Sequence, residues 1–82
     1  MKYSVEIKRP IYKVASEIRK SWKNINYGAV PYLNAMSSLE DKNSMYGCDK
    51  ASSIVNYFLS NASGWRGDDA KRIKNELKDI IK

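Results

Sequence analysis

Apolar residues recur at intervals of three and four in several separate stretches of this 82-residue chain. That period leaves little room for anything but amphipathic helices. Ile11, Val14, Ala15, Ile18 and Trp22 fall on one face of a helix that Pro10 opens and that should end near Lys23. Residues 24–28 read as a loop. Pro31 opens a shorter helix with Tyr32, Ala35, Met36 and Leu39 along one side. Residues 40–47 are polar and end in glycine, so they read as a connection. Asp49 is placed to cap a third helix, whose arc of Ala51, Ile54, Val55, Phe58, Leu59 and Ala62 is the widest and suggests a central position. A fourth helix carries Ala70, Ile73, Leu77, Ile80 and Ile81. It starts either at Gly64, capped by Ser63, or near Asp68, whose charge suits a helix N-terminus.

One stretch departs from this period. Tyr3, Val5 and Ile7 alternate with polar residues as in a strand, and no second convincing strand follows. The expected fold is therefore all-α. It is a small helical bundle of three to four helices spanning residues 10–82, preceded by a short extended arm or edge strand over residues 1–9. An edge strand pairing with its symmetry mate would make a homodimer. The expected core includes Ile18, Trp22, Leu39, Ile54, Phe58, Ile73 and Leu77. A helix-turn-helix is excluded, because the gap between the second and third helices exceeds the short turn that motif needs.

Residue chemistry removes many functions. The chain has no His and a single Cys, so a Ser-His-Asp triad, a Cys-His pair, an internal disulfide and a thiolate zinc site are all ruled out. There is no Gly-rich phosphate loop. Adjacent Glu40 and Asp41 read as solvated loop carboxylates rather than a metal site. Cys48, near a helix start, reads as an incidental thiol. A non-enzyme without cofactors is expected. No stretch is long or apolar enough for a membrane span or a signal peptide, so a cytoplasmic protein with no membrane partner is the default.

Charge gives the positive signal. The net charge is +6. Residues 1–23 hold seven Lys/Arg against Glu6 and Glu17, and residues 66–82 hold six against four acids, while the middle is nearly neutral. Such asymmetry suits a polyanion or an acidic protein surface. Projected at 100° per residue, Lys13, Arg19, Lys20 and Lys23 lie opposite the apolar stripe of the first helix, together with Tyr12. Lys71, Lys74, Lys78 and Lys82 line one flank of the last. These eight cations are the candidate nucleic-acid contacts, with Tyr12 or Tyr27 available to stack on bases; a plain solvated face would look the same. The segment Trp65-Arg66-Gly67 has two readings. In one, Trp65 anchors the junction of the third and fourth helices, Gly67 relieves crowding and Arg66 pairs with an acid or a carbonyl. In the other, Trp65 and Arg66 form a partner-binding hot spot.

The run Tyr46-Gly47, Ile54 to Ala62, Trp65-Arg66-Gly67 and Ala70 to Lys78, together with Gly28 to Met36, resembles a recurring type of short phage-encoded accessory protein. The resemblance covers about residues 12–81 and carries no biochemical activity with it. It implies a protein that acts by stoichiometric binding to host machinery in the bacterial cytoplasm. A basic chain is no DNA mimic. The partner it implies is a host effector protein or ribonucleoprotein, gripped through its guide or target DNA or RNA or through an acidic patch, as an anti-CRISPR would do. The alternative is a nucleic-acid-binding accessory protein without sequence specificity. A virion component is disfavoured by the lack of repeats and long coiled coil.

Overall fold

A computed structural model describes residues 8–82 of the chain. The expected strand at Tyr3–Ile7, and the dimer argued from it, lie outside the described residues. The protein is mostly helical. Helix α1 spans Ile11–Ser21, a short 3-10 turn at Tyr27–Ala29 leads into α2 at Val30–Met36, α3 spans Ala51–Ser60, and α4 spans Asp68–Ile80. Two very short antiparallel strands, β1 (Met45–Tyr46) and β2 (Asp49–Lys50), precede α3.

These strands correct the plain connection expected over residues 40–47. Gly47 takes φ +64°, which suits the first position of a two-residue hairpin loop, and Cys48 fills the second. Asp49 belongs to β2 and Lys50 occupies the cap position of α3 with no side-chain cap bond, so Asp49 does not cap that helix. Cys48 is exposed on the hairpin loop rather than at a helix start. The preceding turn satisfies itself. Ser44 Oγ accepts the amides of Glu40 and Asp41, and the Asp41 carboxylate accepts the Asn43 amide at 2.9 Å.

Pro10 brings no N–H to the start of α1, and no side chain caps it. Its first amides are satisfied from a distance. Ile11 and Tyr12 donate to the carbonyls of Glu40 and Leu39 at 2.8 and 2.9 Å, tying α1 to the turn that follows α2. Leu39 lies beyond the end of α2 yet is fully buried there. All seven residues expected in the core are buried.

The closest helix packing is α2 on α3 and α1 on α4, with α2 also against α1. The third helix packs closely on α2 and approaches α4 less closely. Aromatic rings help to fill the junction: Trp22 meets Phe58 edge-on at 6.1 Å and stacks on Trp65 at 5.3 Å with an interplanar angle of 8°. Among the described residues no helix is long and apolar enough to cross a membrane.

Candidate cationic face on helix α4

Helix α4 starts at Asp68, the later of the two expected positions, with Asp68 and Asp69 complementing its N-terminal dipole. Gly67 precedes it at φ +113°, ψ 177°, a backbone conformation open only to glycine. A Cβ there would meet nothing within 4 Å, so Gly67 serves the chain's direction rather than relieving crowding. That sharp entry sends Trp65 inward and leaves Arg66 outside. Trp65 is only 4% exposed, its ring covered by Trp22, so it offers a partner little of its surface. Arg66 is exposed, and among the described residues it forms no ion pair.

Apolar Ala70, Ile73, Leu77 and Ile80 face the core and divide the remainder of α4 into two flanks of opposite character. One flank meets α1 through ion pairs. Arg72 contacts Glu17 at 2.6 Å and Asp69 at 3.5 Å, while Arg9 bridges Glu17 and Glu76 at 2.7 Å each. Arg72 and then Arg9 hold the Glu17 carboxyl below the usual carboxylate range, and Glu76 and Glu17 hold the Arg9 guanidinium above its ordinary value. The charges on this flank neutralise one another.

The other flank carries Lys71, Lys74 and Lys78. Here α4 faces α3, which has no charged residue between Ala51 and Ser60. A shallow groove between the two helices is lined by Asn56, Leu59, Ser60, Lys74 and Lys78. Lys74 donates to the Trp65 carbonyl at 2.7 Å and its ammonium lies 5.9 Å from the centre of the Trp65 ring. Burial holds this ammonium below the ordinary lysine range, and the charges of Lys78 and Arg66 push it the same way. Lys78 and Arg66 are thus close enough for their fields to reach Lys74. Among the described residues Lys71 and Lys78 form no ion pair.

The eight nominated cations differ in how far they are committed. Arg19 donates to Asn34 on α2 and to Ser37 just past its end, at 2.7 and 3.2 Å. Lys13 and Lys20 border a groove that also contains the Glu17 carboxylate and Arg9. Lys23 is exposed beyond the end of α1. Lys82 lies past the end of α4, 4.0 Å from Asp79. Lys71, Lys74, Lys78 and Arg66 come together on and beside α4 with no ion pair among the described residues, and the α1 cations lie apart from them.

Of the two tyrosines first considered for stacking, Tyr12 is 41% exposed on α1 and Tyr27 is 91% exposed in the 3-10 turn. Sequence reasoning missed a third arrangement. Tyr32 on α2 and Tyr57 on α3 pack ring against ring at 5.4 Å. The signal was faint, since the pair unites residues from two helices. Among the described residues no group of three acidic or thiol side chains comes together as a metal site. No protein-family model matches the chain, and neither a curated protein nor a solved structure matches it.

Proposed function

We propose that this chain is a small, non-enzymatic binding protein, built as a helical bundle, that holds the phosphate backbone of a nucleic acid along the α3-facing flank of α4. One observation carries the reading: Lys74 and Lys78 line a groove whose other wall, α3, supplies no carboxylate, with Lys71 one turn before Lys74 on the same helix and Arg66 next to the Trp65 carbonyl that Lys74 holds. Among the described residues Arg66, Lys71 and Lys78 form no ion pair, and such cations are the ones that gain most from neutralising phosphates on a polyanion. Burial of Trp65 removes the aromatic anchor that a protein-targeted hot spot would have used and leaves Arg66 available to a phosphate.

The resemblance to short phage accessory proteins supplies the biological setting. Within it, the protein acts stoichiometrically on a host-defence ribonucleoprotein, gripping the guide or target strand, as an anti-CRISPR-type inhibitor. The second reading, a plain nucleic-acid-binding accessory protein, shares the same surface and lacks the defence target.

Two assays test these claims in turn. Gel shifts at about 50 mM salt should show retarded DNA or RNA, and Arg66→Gln with Lys78→Gln should weaken the shift; no shift by the parent protein overturns the phosphate-binding reading. Expressing the gene beside an active CRISPR effector should raise transformation by a targeted plasmid. Unchanged immunity in the presence of a positive gel shift would leave the plain nucleic-acid reading.

A further inference from the structure

The groove beside the cationic flank does not end at α3. With the core-facing residues of α3 taken as the inner side, Leu59 and Asn56 turn toward α4, Ser60 lies on the outer ridge, and Tyr57 turns toward α2. Tyr57 is 50% exposed and rests on Tyr32, which is itself half-buried against the core. Across the outside of the molecule, one path therefore runs from the α4 cations, over the uncharged amide and hydroxyl of Asn56 and Ser60, to a ring fixed in place by a second ring. A helix with its side chains is about 10 Å across. The cations and the ring are thus a few nucleotides apart along an extended strand.

Each part fits a different piece of the same ligand. The cations suit phosphates. The Tyr57 ring offers a π-face to a base, and its packing on Tyr32 lowers the entropy lost when a base settles on it. The polar ridge between them offers an amide and a hydroxyl instead of a charge. In a duplex the bases are stacked inside and cannot reach such a ring; in a single strand they are free to do so.

Resting on the phosphate-binding reading above, we propose that the ligand is single-stranded nucleic acid, laid across α3 with its backbone on the Lys74–Lys78 flank and a base stacked on Tyr57. Tyr57 is the stacking residue and Tyr32 positions it.

The test is fluorescence-anisotropy titration of the full chain with a labelled oligothymidine and with a duplex of equal length. The parent should prefer the single strand by about ten-fold or more, the order expected from one base–aromatic stack. Tyr57→Leu keeps an apolar contact with Tyr32 and removes the π-face. It should lose that preference with its salt dependence unchanged, and Tyr57→Phe should keep it. Circular-dichroism melts would verify that both variants fold. Equal affinity of parent and Tyr57→Leu for the single strand, with Arg66→Gln and Lys78→Gln still lowering binding, overturns the stacking proposal alone and leaves the phosphate reading standing. Absence of binding by the parent to both probes overturns the two together.

Discussion

Lys74 is held at both ends of its reach: its stem rises from α4 and its ammonium is fixed to the Trp65 carbonyl, near the indole that carbonyl belongs to. It thereby locks the strand of chain between α3 and α4, and its charge adds to the cationic face as a consequence. Lys74→Met should cost about 1 kcal/mol through the lost hydrogen bond, a drop of roughly 4–8 °C in Tm for a domain of this size. Arg66→Gln, altering an exposed side chain one residue after that anchor, should leave Tm nearly unchanged and weaken binding; thermal melts and titrations of the two variants separate the roles. The two glycines on either side of Trp65 differ in the same way. Gly67→Ala forces a side chain into φ +113° and should destabilise by roughly 1–3 kcal/mol. Gly64→Ala meets no neighbour within 4 Å and needs no positive φ, so its melt should stay within about 0.5 kcal/mol of the parent. The sequence marked Trp65-Arg66-Gly67 as unusual, but composition alone could not say that the ring turns in and the guanidinium out. That depends on the backbone angles at Gly67.

At the level of elements, the helices were legible because a period of 3.6 is written in the chain itself, and the residues expected in the core are buried for that reason. Phe58, fully buried between Trp22 and the aliphatic core, should lose about 3–5 kcal/mol on replacement by Ala. A circular-dichroism melt of Phe58→Ala matching the parent would contradict that packing. The hairpin before α3 was not legible. Its strands are two residues each, too short to establish an alternation, and only Gly47 hinted at the turn. The α1–α4 ion network was equally hidden, because Arg72 and Glu17 are 55 residues apart in sequence and Arg9 and Glu76 are 67 apart. The network predicts acid sensitivity. Glu17 has its folded-state pKa below the ordinary 4.5, so its ionised form stabilises the fold above that value and the contribution is lost as pH falls through the lower, folded pKa. Urea melts between pH 7 and pH 3 should show Glu17→Gln destabilised at neutral pH, with its difference from the parent shrinking on acidification. A pH-independent difference would show that the ion pairs with Arg72 and Arg9 contribute nothing.

Over the whole molecule, a net charge of +6 says little about where a polyanion would settle, because the fold spends cations unevenly. Arg9 and Arg72 are neutralised by Glu17, Glu76 and Asp69, and Arg19 is bound to α2. Lys74 is engaged by Trp65, and Lys82 by Asp79. Near the α3–α4 groove this leaves, among the described residues, Arg66, Lys71 and Lys78 as the cations with no ion pair, and these are the ones proposed to hold phosphates. On a single strand each contact contributes about −0.7 to the log–log slope of affinity against salt, so three give a slope near −2, whereas engagement of all eight lysines and arginines named from helical projection would give one near −5.6. The two values are far enough apart for titrations at a few salt concentrations to distinguish them. Replacing Arg66 and Lys78 together by Gln should reduce the magnitude of the slope by about 1.4 and weaken binding alike on all sequences. Replacing Lys13 and Lys20 together by Gln removes the same formal charge from the α1 face, beside Glu17, and should leave the slope where it was. Equal effects from the two double variants would mean that the ligand responds to net charge alone and that the arrangement of α4 against an uncharged α3 confers no preference.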